Sequence, residues 1–130
     1  MTDAAPKVLV VDDDPDNLRM VSRYLEAKGY SVVVTSSPFD VTRLLRQEEP
    51  DVVVLDVMMP ALDGEAVAKF IRGEWPIERP QILFYSAIDD EPLRLLTDRI
   101  PGSTAVAKTA GLGALLESIQ EIIASKSSEQ

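Results

Sequence analysis

Four short hydrophobic runs in this chain each end in polar residues suited to phosphate chemistry. The runs and their polar ends are Val8–Val11 before Asp12 and Asp13, Val52–Leu55 before Asp56, Ile82–Tyr85 before Ser86, and Ala105–Ala107 before Lys108. In an open parallel α/β sheet, ligand sites form in the crevice beyond the carboxyl ends of the strands. We therefore expect one pocket that holds three carboxylates, a hydroxyl and an ammonium.

The carboxylates of this pocket point to a metal ion. Three nearby carboxylates repel one another in a partly desolvated pocket unless a cation neutralises them. Mg²⁺ is the economical choice, because it prefers oxygen ligands and typically uses one or two carboxylates together with phosphate oxygens. A carboxylate beside Mg²⁺ can attack a phosphoryl group and form an aspartyl-phosphate. Asp56 is the candidate nucleophile, with Lys108 and Ser86 as partners for the phosphoryl charge.

Composition restricts the remaining possibilities. A chain of 130 residues with 45% hydrophobic residues fits one domain with a single core. The net charge of −9 argues against direct binding of nucleic acid. The absence of cysteine and histidine excludes disulfides, thiolate chemistry and the commonest general base. The sequence has neither a signal-peptide pattern nor an apolar stretch of membrane-spanning length, so we expect a cytoplasmic protein without a membrane partner.

Hydrophobic periodicity predicts an α/β fold of five βα units, doubly wound around a five-stranded parallel sheet. The predicted strands are 7–12, 31–35, 51–55, 81–86 and 103–107, and the predicted helices are 15–28, 38–47, 63–73, 90–98 and 111–124. Gly29 is expected to end the first helix. The linker 73–80 is unusually long, and the sequence does not say what its Trp75 packs against. We expect a single domain over 1–130, with a core of about 7–124 and a polar, frayed tail over 125–130.

With these residues in order, the chain resembles a response-regulator receiver domain of a two-component signalling system. The matching motifs lie within roughly residues 7–124 and are Val10–Pro15 with its acidic pair, the acceptor segment Leu55–Pro60, Asp63–Gly64, Ser86–Ala87 and Lys108. The resemblance implies a flavodoxin-like sheet with strand order 2-1-3-4-5. It also implies an apparently stand-alone receiver, because the chain ends after the last predicted helix.

The resemblance implies a set of metal ligands, carried over residue by residue. Asp13 would bind Mg²⁺ directly, and Asp12 would bind it through water. Asp56 would be both ligand and phosphoacceptor, and Met58 would bind the metal through its backbone carbonyl. No other cofactor is implied.

The resemblance also implies partners. A phosphohistidine on a sensor histidine kinase or a histidine phosphotransfer protein would supply the phosphoryl group. Lys108 would pair with that group, and Ser86 would move towards it after phosphorylation. The output would be binding of a downstream protein target. The chain would catalyse its own phosphorylation and dephosphorylation and would turn over no separate substrate.

Two positions depart from the family pattern and keep alternatives open. Ala105 stands where the family usually has an aromatic residue, and Thr109 stands where it usually has a proline in a cis peptide. The loop after the fifth strand is therefore either trans and differently shaped, or strained. These departures favour a second interpretation, a receiver-like binding module that works without phosphorylation. A metal-dependent phosphatase is a third, which Met58 disfavours because a second Asp at that position would have supported it.

Overall fold

The structure is a computed structural model that describes residues 5–127, and side chains as far as residue 125. Its strands are β1 (Lys7–Val11), β2 (Ser31–Thr35), β3 (Val52–Leu55), β4 (Gln81–Ser86) and β5 (Ser103–Ala107). Its helices are α1 (Pro15–Ala27), α2 (Val41–Glu48), α3 (Gly64–Glu74), α4 (Asp90–Arg99) and α5 (Leu112–Ser127), and there are short 3₁₀ turns at Pro38–Asp40 and Lys108–Ala110. All strand pairs are parallel, in the order β2-β1-β3-β4-β5. The predicted fold class and strand order are confirmed.

Helices cover both faces of the sheet, which explains why the strands are apolar without alternation. On one face, strand residues such as Leu9 and Phe84 pack with α2, α3 and α4 in a buried cluster. On the other face, residues such as Val8 and Leu83 pack with α1 and α5 in a second buried cluster. Because all described strands are parallel, their carboxyl ends lie at one rim of this layer. Among the described residues, no helix has the length and apolar character needed to cross a membrane.

Three of the predicted helix starts differ from the structure: α2 begins three residues later than predicted, and α3 and α5 each begin one residue later. Residues 38–40 form a 3₁₀ turn, because the side chain of Ser37 caps it by accepting a hydrogen bond from Phe39 N. The helix α2 therefore begins only at Val41. The last helix begins at Leu112 because Gly111 has a φ of +92°, outside helical geometry. The predicted start at 38 was therefore wrong, and the predicted starts at 63 and 111 were each one residue too early, with Asp63 as the cap of α3.

The predictions for the carboxyl-terminal ends of α1 and α5 had different outcomes. Gly29, with a φ of +97°, follows the cap Lys28 of α1 and confirms the predicted stop. In contrast, α5 continues through Ser127, three residues beyond the predicted helix end at 124. Residues 128–130 of the predicted tail lie outside the described residues.

The long connection from α3 to β4 is fixed by one aromatic and one arginine side chain. Trp75 meets Phe70 edge to face at 6.5 Å between ring centroids and packs against the cluster under α2, α3 and α4. Arg72 donates to the carbonyl oxygens of Pro76, at 3.0 Å, and of Pro80. The Arg79–Pro80 peptide is cis. The linker is therefore an ordered part of the domain.

Candidate functional site

The sheet brings two of the predicted carboxylates together. Asp12 directly follows β1 and Asp56 directly follows β3, and these strands are neighbours. The pairing continues one residue beyond β3, where Asp56 N donates to Val11 O at 3.1 Å. Carboxylate oxygens of Asp12, Asp13 and Asp56 all lie within 4.8 Å of one another.

These three carboxylates differ in their access to solvent. Asp12 is 2% exposed and Asp56 is 6% exposed, whereas Asp13 is exposed. Two acidic groups are therefore buried in the rim of the sheet, and the third is open to solvent.

Lys108 connects the two buried carboxylates. It follows β5, and its side chain reaches across the end of β4 to place Nζ 3.0 Å from Asp12 Oδ2 and 3.2 Å from Asp56 Oδ2. Burial is the largest single effect on this ammonium and lowers its pKa, but hydrogen bonds and charge attraction from Asp12 and Asp56 together raise the pKa of Lys108 above its ordinary value. Lys108 therefore stays charged.

Hydrogen bonds fix the orientation of Asp12, and one of the donors was not foreseen from the sequence. Asp14 N donates to Asp12 Oδ1 at 3.0 Å, and Asn17 Nδ2 donates to Asp12 Oδ2. Asn17 lies in the first turn of α1, which begins at Pro15 just beyond the strand end. An amide at that position faces the carboxyl ends of the strands, which is the signal that could have identified it.

The loop after Asp56 is held by its own backbone. Met58 N donates to Asp56 Oδ1 at 3.2 Å, and Gly64 N donates to Val57 O at 2.9 Å. A Cβ added at Gly64 would lie 2.2 Å from Asp56 O, so only glycine permits this approach of α3 to the acceptor segment. Asp63 caps α3 by accepting from Ala66 N at 2.9 Å.

Two predicted site residues take no direct part in the contacts between Lys108 and the carboxylates. Ser86 is fully buried at the end of β4, and its Oγ accepts a long hydrogen bond of 3.5 Å from Ile88 N. Within the described residues it makes no hydrogen bond to Asp56 or Lys108. The side chain of Met58 is 60% exposed. The movement of Ser86 and the carbonyl ligand from Met58 stay predictions.

The two departures from the family pattern have a simple structural outcome. Ala105 lies half-buried on β5 and packs against the cluster that includes α4. The peptide after Lys108 is trans, since Arg79–Pro80 is the only cis bond in residues 5–127, and Lys108–Ala110 forms a 3₁₀ turn. Of the two shapes expected for this loop, the trans one is observed.

The donor set fits a hard divalent cation. Its convergent ligand atoms are all carboxylate oxygens, which Mg²⁺ prefers, and the sequence offers no competing thiolate or imidazole. Two of the three carboxylates are buried, and the single ammonium of Lys108 cannot neutralise all three. This excess negative charge favours binding of a cation.

Comparisons with known proteins agree with this geometry. A family model described as the response regulator receiver domain matches residues 8–120. Protein PilH of Pseudomonas aeruginosa is 26% identical over 118 residues, which are 91% of this chain and 98% of that protein. A CheY-like receiver domain structure from Methanospirillum hungatei superposes with a TM-score of 0.85 over 97% of this chain and 99% of that one. At 20% identity, this second likeness concerns the fold alone.

Other relatives are much longer than this chain. The sensor protein GacS of Pseudomonas syringae is 40% identical over 81 residues, or 62% of this chain and 9% of that protein. Three transcriptional regulators also match, and the aligned part of this chain spans between 35% and 39% of their length. The matched segment of the family model includes the acidic residues, Ser86 and Lys108 described above. The chain therefore belongs to the response regulator receiver domains of two-component signalling systems.

Proposed function

We propose that this receiver domain is a phosphoacceptor switch in which Asp56 takes a phosphoryl group from a phosphohistidine. The observation that carries the proposal is the contact of the Lys108 ammonium with both Asp12 and Asp56, at 3.0 and 3.2 Å. A charged lysine between two buried carboxylates is costly as a purely structural pair. The same lysine is well placed to hold a dianionic phosphoryl group on Asp56.

The reaction follows from the positions of the Asp56 oxygens. Oδ1 accepts from Met58 N and Oδ2 faces Lys108, so both oxygens are oriented before a donor arrives. One oxygen attacks phosphorus, and the bond from phosphorus to the donor imidazole nitrogen breaks. The bonding electron pair stays with that nitrogen, and after protonation the donor side chain is a neutral histidine. The Lys108 ammonium then pairs with the negatively charged phosphoryl oxygens.

Asp12, Asp13 and Asp56 would hold Mg²⁺, with the carbonyl of Met58 as a further ligand. When bound, the ion supplies positive charge close to the phosphoryl oxygens. The protein residues orient the acceptor: Asn17 and Asp14 N fix Asp12, and Met58 N fixes Asp56. These contacts hold the carboxylates in one arrangement without requiring a change in the fold.

The switch would act through Ser86 and a downstream protein. Ile88 N donates only a weak 3.5 Å hydrogen bond to Ser86 Oγ, so the hydroxyl can readily exchange this contact for one in which it donates to a phosphoryl oxygen. That exchange stabilises one of two arrangements of the loop after β4, which is how a ligand shifts a two-state equilibrium. The donor would be a sensor histidine kinase or a histidine phosphotransfer protein, and no separate substrate would be turned over.

Phosphoramidate tests the proposal, because its P–N bond resembles that of phosphohistidine. The chain is incubated with phosphoramidate in Mg²⁺ or in EDTA, and the intact mass is measured. We expect the unmodified chain to form a phosphoryl adduct in Mg²⁺ but not in EDTA. In Mg²⁺, Asp56→Asn should form no adduct, and Lys108→Ala should form it much more slowly. Lys69→Ala is the matched control, since Lys69 is an exposed lysine on α3, outside the site.

Two outcomes would contradict the proposal. An adduct of equal yield in Asp56→Asn would show that another residue is the acceptor. No adduct on the folded protein would instead support the binding module that works without phosphorylation.

A further inference from the structure

A cavity lies at the rim of the sheet opposite to the carboxylates. It has a volume of about 320 Å³ and forms where Pro50 leads towards β3 and Pro80 leads into β4. These strands are neighbours, and Asp56 follows the other end of β3. Ligand sites of parallel sheets ordinarily form beyond the carboxyl ends of the strands. This cavity lies beyond the amino ends and is therefore separate from the phosphoacceptor site.

The walls of the cavity are apolar and fixed in place. The apolar lining residues are Leu45, Pro50, Trp75, Pro76 and Pro80. The proline rings have little side-chain freedom, and the half-buried Trp75 is held by its edge-to-face contact with Phe70. Cavities that bind small molecules are largely preformed and apolar, with a few polar groups and volumes of about 300–1,000 Å³. In shape and lining, this cavity suits a small ligand with one ring.

Two charged residues, Arg79 and Glu49, also line the cavity. The Arg79 guanidinium is already engaged, because its Nη2 donates to Glu49 O at 2.6 Å. Its Nε lies 3.6 Å from Asp51 Oδ1, so a carboxylate balances the arginine charge. An anionic ligand would have to compete with Asp51 for this guanidinium.

The Glu49 carboxylate differs from the two acidic groups beside it. Glu48 pairs with Lys7 Nζ at 2.9 Å, and Asp51 pairs with Arg79. Glu49 has no ion-pair partner within the part of the chain that the structure describes. The excess charge at the cavity is therefore negative, and it favours a cationic ligand.

The backbone at Glu49 supports the same conclusion independently. Glu49 ends α2 with a φ of +49° and a ψ of +58°, in the left-handed region. Glycine or asparagine is usual at such a helix end, because a larger side chain makes this conformation costly. Strained conformations of this kind cluster at ligand sites. Here the strained residue is the one that brings the unpaired carboxylate to the cavity.

We propose that this cavity binds a small organic cation, an amine that carries one aromatic ring. The ring packs against Trp75 and the proline side chains, and the ammonium pairs with the Glu49 carboxylate. The indole of Trp75 adds a further attraction for a nearby cation. This activity goes beyond the proposed phosphoacceptor function and does not depend on it.

The test uses the fluorescence of Trp75, which is the only tryptophan of the chain. The unphosphorylated full chain is titrated, in the absence of Mg²⁺, with phenethylamine, with the neutral phenethyl alcohol or with the anionic hydrocinnamate. We expect phenethylamine to cause a saturable blue shift, because its ring excludes water from the half-buried indole. Hydrocinnamate should bind at least about fivefold more weakly, the scale of one partly exposed ion pair.

NMR of the same titration locates the bound amine. The indole N–H of Trp75 and the methyl groups of Leu45 should shift with the same dissociation constant as the fluorescence change. The methyl groups of Leu95, an exposed residue of α4 outside the cavity, are the internal reference and should not shift.

Three variants test the role of Glu49. Glu49→Gln should weaken phenethylamine binding by about fivefold and leave phenethyl alcohol binding unchanged. Glu49→Gly should lose the same charge selectivity, yet it keeps the carbonyl that accepts from Arg79 and should unfold at an equal or higher urea concentration. Glu117→Gln, at an exposed position of α5, is the matched control and should bind phenethylamine like the unmodified chain.

Three results would overturn the proposal. They are the absence of a saturable change with phenethylamine, binding of hydrocinnamate as tight as that of the amine, and an equal loss of amine binding in Glu117→Gln and Glu49→Gln. Phosphorylation is measured separately without any amine, so failure of this proposal and failure of the phosphoacceptor function are distinguishable.

Discussion

Gly64 provides a sharp test of how the fold holds the acceptor segment. In Gly64→Ala the new Cβ would lie 2.2 Å from Asp56 O and 2.8 Å from Val57 Cα, and both obstacles are backbone atoms. Real Cβ atoms essentially never approach other atoms closer than 3.0 Å. Either the start of α3 or the Asp56–Val57 backbone must therefore move by most of an ångström.

Gly73, in the same helix, is the matched control. A Cβ added there meets nothing within 4 Å. Gly73→Ala should raise the free energy of unfolding by about 0.5–1 kcal/mol, the helix-propensity difference between alanine and glycine. Gly64→Ala should lower it by about 1–3 kcal/mol, the range for overpacking a well-packed site. The two substitutions have the same chemistry and opposite expected signs.

Urea unfolding followed by circular dichroism measures both effects. With a slope of about 1–3 kcal/mol per molar urea, a loss of about 2 kcal/mol lowers the midpoint by roughly 1 M. Folded Gly64→Ala should also be phosphorylated more slowly, because the Asp56 backbone has shifted. If Gly64→Ala were as stable as Gly73→Ala, the close approach of α3 to the acceptor segment would be refuted.

Three further predictions concern caps, charge and hydrolysis. Asp63→Ala should cost about 0.5–2 kcal/mol of unfolding free energy, and more than Asp89→Ala, because Asp63 caps α3 through its side chain and Asp89 makes no such bond to α4. The hydrogen bond from Arg99 is the main cause that lowers the pKa of Glu65 in the folded protein. The stability from this pair is therefore present above the carboxyl pKa of the unfolded chain, and it is lost as pH falls through the lower pKa of the folded protein. Glu65→Gln should flatten that acidic part of the stability profile measured by urea titration, and an unchanged profile would exclude the pair as its source. Met58→Asn should shorten the lifetime of the phosphoryl group, because an amide can orient an attacking water and the exposed thioether of Met58 cannot. The lifetime is followed by intact-protein mass, and an unchanged lifetime would refute this role of the residue at position 58.

The sheet was predictable from sequence because its signal is local. Each strand is an uninterrupted apolar run that must be buried on both faces, and the observed bounds differ from the predicted ones by at most one residue. Helix ends were less predictable. At α5 the apolar stripe ends before the helix does, because polar residues such as the exposed Ser125 continue the helix without contributing to the core.

The candidate site was predictable where a residue directly follows a strand. Asp12, Asp56 and Lys108 meet because the strand ends share one rim. Asn17 was missed because its position depends on how the first turn of α1 faces that rim, which no strand pattern encodes. The close approach at Gly64 was missed for the same reason, since it depends on the three-dimensional packing of α3 against the Asp56 backbone.

The measurement that tests the central claim most directly is the chemical identity of the phosphorylated residue. The chain is phosphorylated with acetyl phosphate in Mg²⁺ and reduced with borohydride, which converts an aspartyl-phosphate to homoserine. It is then digested and sequenced by mass spectrometry. We predict homoserine at position 56 and unmodified aspartate at Asp12 and Asp13. Homoserine at either of those residues, or a stable phosphate ester on Ser86, would contradict the account.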